Sequence, residues 1–143
     1  MPTTRAYTVH PVGTIRSELK MRAQAPKQGE HGAPAAWIEI DSAFTAALDG
    51  IRTADELLIL TWLHASKRDP LRVHPRGDSR NSARGVFMTR SPDRPNPIGL
   101  HPVRVLAVTD GAWLRVAPIE AIDGTPVIDI KPLRLDLCSL TRA

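Results

Sequence analysis

The sequence predicts an all-β domain: a small antiparallel β-barrel with one short helix and long functional loops. Three observations favour this fold. The apolar runs are short, turn-forming Pro, Gly and Asp-Gly residues separate them, and only one segment has the start and stop residues of a helix. Seven such runs at this spacing are typical of a closed barrel or a strongly curved sheet. A chain of 143 residues suits one core, so we expect a single domain over residues 1–143.

The predicted strands are justified by their residue patterns in chain order. Tyr7–Ile15 and Trp37–Ile40 alternate apolar and polar residues, which is typical of a strand with one buried face. Glu56–His64 is a nearly continuous apolar run and predicts a strand buried on both faces. Asp110-Gly111 separates two later runs and predicts a hairpin. These later strands are expected at Val86–Met88, Val103–Val108, Trp113–Val116 and Val127–Ile130.

The one helix is predicted at Ser42–Leu48. Asp41 or Ser42 can cap its first turn, and Gly50 can end it. Between the first two strands, residues Lys20–Pro34 combine Pro, Gly, Gln and charged residues and predict a long loop. Long loops in compact domains are usually functional.

A proline-rich loop is the most informative segment of the chain. After Val86–Met88 the sequence continues Thr-Arg-Ser-Pro-Asp-Arg-Pro-Asn-Pro, and its three prolines exclude a helix or an interior strand. Each residue before a proline is held extended, so the loop has little conformational entropy to lose on binding. Because it carries two arginines and an asparagine, we interpret it as a binding or catalytic site.

Positive charge is concentrated around this loop. Between Lys67 and Arg104 there are nine basic and three acidic residues, while the whole chain has 19 Lys+Arg and 15 Asp+Glu. Most of these basic residues are arginine, whose planar fork binds phosphate and carboxylate. The segment therefore predicts a polyanionic partner, either RNA or a nucleotide.

Several other classes of protein are disfavoured. The single cysteine, Cys138, rules out an internal disulfide, and no apolar run is long enough to span a membrane. The first residues lack the apolar core of a secretory signal, so we expect a cytoplasmic protein. There is no glycine-rich dinucleotide motif and no P-loop. His64, His74 and His101 lie on separate elements, and we expect no metal site.

Two long motifs resemble the TsaA-like family, which contains the TrmO-type tRNA methyltransferases. They are Gly85–Leu100 and Asp123–Pro132, the latter reading Asp-Gly-Thr-Pro-Val-Ile-Asp-Ile-Lys-Pro. Weaker matches accompany them at Val12–Ser17, Pro26–Gly29 and Leu58–His64, so that the resemblance extends over nearly the whole chain.

The resemblance implies a β-barrel that binds S-adenosylmethionine without a Rossmann domain. It also implies a homodimer with the cofactor near the subunit interface, and methylation of N6 of a threonylcarbamoylated adenosine beside the tRNA anticodon. The cofactor-binding positions carried over from the family are Pro26, Lys27, Gln28, His64, Arg90, Leu100, Ala117, Pro118, Ile119 and Glu120.

The chemistry of these side chains is consistent with such roles. Arg90 can pair with the cofactor carboxylate, and Glu120 can accept hydrogen bonds from its ribose or amino group. Asn96 and Asp123 are the catalytic candidates, which would orient the acceptor amine and take its proton. The expected RNA contacts are Arg72, Arg76 and Arg94. Two alternatives stay open: a non-catalytic barrel that binds RNA or senses S-adenosylmethionine, and a methyltransferase with another acceptor.

Overall fold

The structure, a computed structural model, is a closed antiparallel barrel of six strands. It describes residues 5–25, 32–74, 80, 82–109 and 111–135. The eight strands are β1 Gly13–Arg16, β2 Ala36–Ile40, β3 Glu56–Trp62, β4 Arg72–Val73, β5 Arg84–Gly85, β6 Ile98–Thr109, β7 Trp113–Ala117 and β8 Pro126–Pro132. Short 3₁₀ helices occupy Arg22–Gln24, Ser42–Leu48 and Val86–Met88. The predicted all-β barrel is therefore confirmed.

Around the barrel the strand order is β1, β2, β7, β6, β3, β8, and β8 pairs again with β1. The strands β4 and β5 form a separate two-stranded hairpin. Inward-facing aliphatic side chains from all six barrel strands fill the interior, and Ile15, Ile38, Ile59 and Leu114 are completely buried. Closure removes the free sheet edges that would otherwise invite aggregation.

The helix and the hairpin were placed correctly from sequence. Ser42–Leu48 is helical, of the tighter 3₁₀ type, and the Asp41 side chain caps it by accepting a hydrogen bond from the Ala43 N–H. Gly50 follows with a φ of 92°, which a glycine adopts without strain. The strands β6 and β7 pair as the predicted hairpin, and Gly111 has a φ of 75°.

Three strand predictions need correction. The first strand begins at Gly13 instead of Tyr7: backbone hydrogen bonds to Val127 and Asp41 reach back to Val12, and Tyr7 is left 83% exposed. Val86–Met88 forms a 3₁₀ turn. The third strand has one buried face only, since Leu58, Leu60 and Trp62 on its outer face are partly covered.

Strand β6 was also predicted too short, because prolines are rare inside sheets. It begins at Ile98 and contains Pro102. The N–H of Val105 donates to Asp55, on the β3 side, so by alternation the Pro102 nitrogen faces away from β3. On that opposite side β7 begins to pair only at Arg104. The proline therefore removes no ladder hydrogen bond.

Candidate functional site

One rim of the barrel collects the segments that the sequence marked as functional. At this rim β1, β3 and β7 end and β2, β6 and β8 begin, so the connections at 17–35, 63–97 and 118–125 all leave from it. We call it the site rim. It carries the proline-rich loop and the family motif at Asp123. Seven of the predicted site residues lie in segments at this rim: His64, Asn96, Ala117, Pro118, Ile119, Glu120 and Asp123.

The proline-rich loop is held against the segment that follows β3. The Asp93 carboxylate accepts a hydrogen bond from the Lys67 N–H at 2.9 Å, and the Arg94 N–H donates to the Lys67 carbonyl at 3.0 Å. Within the loop, the Ser91 hydroxyl accepts from the Asp93 N–H at 3.3 Å. These contacts, added to the proline restraints, give a rigid loop.

Arg68 fixes the orientation of Asn96. Its Nε donates to the Pro95 carbonyl at 2.8 Å and one terminal nitrogen donates to Asn96 Oδ1 at 3.1 Å. Its guanidinium also lies 5.0 Å from the centre of the Trp62 ring. This contact fixes which side of the Asn96 amide faces Arg68, because only the oxygen can accept from the guanidinium.

Arg94 braces the protein's own backbone. Its guanidinium donates to the Val86 and Thr89 carbonyls, and its buried Nε finds no hydrogen-bond acceptor in the part of the chain that the structure describes. The side chain is half-buried between the loop and the 3₁₀ turn. This placement favours an internal role for Arg94 over the phosphate contact expected from the sequence.

A buried polar network connects β3, β6 and the segment after β7. His101 Nδ1 lies 2.6 Å from Glu120 Oε1, and His101 Nε2 lies 2.7 Å from the Thr61 hydroxyl. Thr61 and His101 are almost completely buried, while Glu120 retains some exposure at the rim. Because a carboxylate only accepts hydrogen bonds, Nδ1 donates to it, and the network fixes the direction of the Glu120 side chain.

Asp123 is the first residue of the DGTP motif, Asp123–Pro126, and its side chain binds the start of the β1–β2 connection. Its Oδ1 accepts from the Ser17 N–H at 3.0 Å, and its Oδ2 lies 3.2 Å from the Lys20 ammonium. The Ser17 hydrogen bond and, after it, Lys20 hold the pKa of Asp123 below its usual value, although burial acts in the opposite direction. A carboxylate with a lowered pKa is a weak base, so these contacts favour positioning over proton transfer.

Asp123→Asn is expected to lower the free energy of unfolding by about 1 kcal/mol at neutral pH, because it loses a charge-assisted contact in a partly exposed position. The folded-state pKa is depressed, so the contribution is complete above the unfolded pKa, near 3.9, and is lost as the pH falls through the folded pKa. Urea denaturation of both proteins between pH 3 and 7 measures this.

Lys20→Gln is the matched variant, since it removes the ammonium and keeps the Ser17 hydrogen bond. It should cost less than Asp123→Asn. A constant difference between parent and Asp123→Asn down to pH 3 would contradict the assignment.

A cleft of about 490 Å³ opens beside Asp123. Arg16, Lys20 and Arg115 line it together with Trp37, and the Arg115 guanidinium lies 5.5 Å from the centre of the Trp37 ring. Cationic and aromatic groups are therefore close to the DGTP motif.

The other predicted residues are dispersed. Arg90 is exposed in the β3–β6 connection, and Leu100 lies on the outer face of β6, 42% exposed. Arg72 is exposed in β4 and donates to the Ala83 carbonyl at 3.2 Å. Outside the described residues lie Pro26, Lys27, Gln28 and Arg76, as does Cys138.

Sequence reasoning did not assign a site role to Arg68, Thr61 or His101. Each acts through a contact across 28 or more positions of sequence separation, and no local pattern encodes such a contact. Within the described part of the chain, no group of three His, Cys, Asp or Glu could hold a metal, and no helix is long and apolar enough to cross a membrane.

Comparison with known proteins gives consistent matches. Residues 14–137 match the profile of the tRNA-methyltransferase O N-terminal domain. A probable S-adenosyl-L-methionine-binding protein of Methanothermobacter thermautotrophicus is 45% identical over 92% of this chain and 93% of the relative. An S-adenosyl-L-methionine-binding protein of Archaeoglobus fulgidus is 41% identical over 85% of each chain.

Solved structures agree with the sequence matches. The crystal structure of TrmO from Pseudomonas aeruginosa superposes with a TM-score of 0.72 at 30% identity and covers 92% of this chain. This chain spans only 58% of the crystallised TrmO chain.

Proposed function

This chain belongs to the family of the tRNA-methyltransferase O N-terminal domain, and we propose that it is an S-adenosylmethionine-dependent methyltransferase acting on tRNA. The specific acceptor we propose is N6 of threonylcarbamoyl-adenosine near the anticodon. The observation that carries this proposal is the convergence of the proline-rich loop, the Ala117–Glu120 segment and the DGTP motif at one rim.

The side chains at the rim suit the chemistry of S-adenosylmethionine. Arg90 is exposed and can bind a carboxylate, and Glu120 has a second oxygen that can accept from a hydroxyl or lie near a cation. When bound, the cofactor supplies a methyl group on a good leaving group.

The protein's contribution is then mainly alignment. Asn96, oriented by Arg68, can donate a hydrogen bond to the acceptor, and Asp123 can fix the rim segment that faces it. The methyl group would bond to N6 as its bond to the sulfonium sulfur breaks, the sulfur keeping that electron pair and N6 losing one proton to solvent. The residues would then chiefly need to hold the reacting atoms in line. This accords with the lowered pKa of Asp123.

We also propose a homodimer formed through the outer face of β3 and β6. Alternating residues of these strands make a continuous apolar surface, and Ile98 is 43% exposed on it. A two-fold axis would bury the same patch on both copies. The surface, which we call the β3–β6 face, comprises Leu58, Leu60, Trp62, Ile98, Leu100 and Pro102.

Arg90→Ala is expected to weaken S-adenosylmethionine binding by roughly 10- to 150-fold, because one charge-assisted hydrogen bond contributes about 1.5–3 kcal/mol. Isothermal titration calorimetry measures it, and Arg134→Ala, an exposed arginine after β8, is the control. Equal affinity of the Arg90 variant would contradict this role, and no binding by the parent would contradict the cofactor assignment.

Catalysis is tested by mass spectrometry of tRNA nucleosides from cells with and without the protein. Loss of the N6-methylated threonylcarbamoyl-adenosine on deletion supports the proposed acceptor. Cofactor and RNA binding without any transferred methyl group would instead favour a non-catalytic barrel. The archaeal relatives, whose names specify binding only, support keeping that alternative.

A further inference from the structure

The 3₁₀ turn Val86–Met88 displays unusually exposed apolar side chains. Phe87 is 89% exposed and Met88 is 76% exposed, and the neighbouring Leu71 is 68% exposed. An exposed cluster of large apolar side chains commonly marks a binding surface. We call Leu71, Phe87 and Met88 the aromatic turn.

The backbone that carries Phe87 and Met88 is held in place by hydrogen bonds, so their exposure does not reflect a poorly restrained segment. Val86 is buried, its N–H donates to the Leu71 carbonyl at 3.0 Å, and its carbonyl accepts from the Thr89 N–H at 3.0 Å. The Arg94 guanidinium also binds the carbonyls of Val86 and Thr89. The turn therefore holds Phe87 in solvent at little further entropic cost on binding.

Arginine outnumbers acidic residues around the aromatic turn, where Asp69 lies two positions before Leu71. The described residues 71–74, 80 and 82–90 contain four arginines and no acidic residue. Among the described residues, no carboxylate lies within salt-bridge distance of Arg72, Arg84 or Arg90. Such a field attracts a polyanion and opposes the pairing of two copies through this surface, because like charges would face each other.

We propose that the aromatic turn is a stacking platform for an unpaired base of RNA. The Phe87 ring receives the base, Met88 and Leu71 extend the apolar surface, and Arg72 and Arg84 contact the flanking phosphates. Base stacking on an aromatic ring requires a base outside a helix, so the platform selects a loop over a duplex. This inference rests on the proposed RNA substrate and adds how the protein recognises a single-stranded part of it.

The test compares two RNAs of equal length, a tRNA anticodon stem-loop and a fully paired duplex, binding to the full chain. Phe87→Leu removes the ring and keeps an apolar side chain, and Phe87→Tyr restores a ring. We expect Phe87→Leu to weaken stem-loop binding roughly 5- to 150-fold, the effect of losing one base stack. Binding of the duplex and the salt dependence should be unchanged, and Phe87→Tyr should bind like the parent.

Two control variants distinguish the loss of base stacking from the loss of a phosphate contact and from the loss of an aromatic ring elsewhere in the protein. Arg84→Gln should weaken both RNAs alike and flatten the slope of log affinity against log salt by about 0.7–0.9. Phe44→Leu removes a ring from the helix Ser42–Leu48 at the opposite rim and should change neither affinity.

The outcomes separate this inference from the function on which it rests. Suppose that the parent protein binds the stem-loop. If Phe87→Leu binds the stem-loop equally well, or binds stem-loop and duplex more weakly by the same factor, the stacking platform is wrong and the proposed RNA substrate is unaffected. If the parent protein binds neither RNA, the stacking platform and the proposed RNA substrate are both wrong. A change in oligomeric state by light scattering, with RNA affinity intact, would assign the aromatic turn to a second copy of the chain.

Discussion

Gly99→Ala is expected to destabilise the fold by about 3 kcal/mol or more. A Cβ at Gly99 would lie 2.3 Å from the Thr61 hydroxyl oxygen and 2.6 Å from His101 Nε2, two atoms that are hydrogen-bonded to each other inside the barrel. The added methyl group must displace one of them, which leaves buried polar groups without partners. Thermal unfolding should show a fall in Tm of roughly 10 °C.

Gly85→Ala is the matched control, because a Cβ there meets no atom of the described residues within 4 Å and the backbone is not in the left-handed region. It should change the free energy of unfolding by less than about 0.5 kcal/mol. Thr61→Ala combined with Gly99→Ala should recover part of the loss, since the small side chain makes room for the new methyl group. Equal stability of the Gly99 and Gly85 variants would contradict the close approach.

Ile98→Glu is expected to raise the dissociation constant of the proposed homodimer by at least about 100-fold, equivalent to about 2.7 kcal/mol. The side chain faces outward on the β3–β6 face, and two-fold symmetry would bury both carboxylates without partners. If the cofactor lies near the subunit interface, the variant should also bind the cofactor more weakly, because less of the protein is dimeric. Sedimentation equilibrium and calorimetry measure the two effects.

Val108→Glu is the control for this surface. It places the same charge on the same strand at a similar exposure, 39% against 43%, near the opposite rim. It should leave the dimer intact. A parent protein that is monomeric at every accessible concentration would contradict the dimer, and equal association of both variants would move the interface elsewhere.

Particular elements show how far sequence patterns predict this fold. The cap at Asp41 and the turn at Gly111 were correct because they are local: the residues that define them lie within a few positions of each other. The start of β1 was wrong because strand limits depend on where partner strands begin, and alternation at Tyr7–Val12 says nothing about β2 or β8. The start of β6 was wrong because a proline is tolerated where its nitrogen faces an unpaired side.

The features of the site likewise divide into local ones, which the sequence predicts, and ones that depend on distant residues. Proline restraints in 91–97 are local, so the rigidity of that loop could be predicted, whereas the direction of each side chain on it could not. Arg94 binds its own backbone, and Asn96 turns its oxygen to Arg68. Phe87 was predicted to lie in a strand, and its exposure follows from the 3₁₀ turn that Leu71 and Arg94 hold in place.

By itself, the sequence determined the barrel class, the helix cap, the stiff proline-rich loop and the concentration of arginine around it. Each of these depends on residue type and on short-range backbone geometry. The tertiary structure alone decided that three connections leave from one rim, that His101 joins Thr61 and Glu120, and which arginines face solvent. Those features arise from the order in which strands close the barrel, and this order brings together residues far apart in the chain.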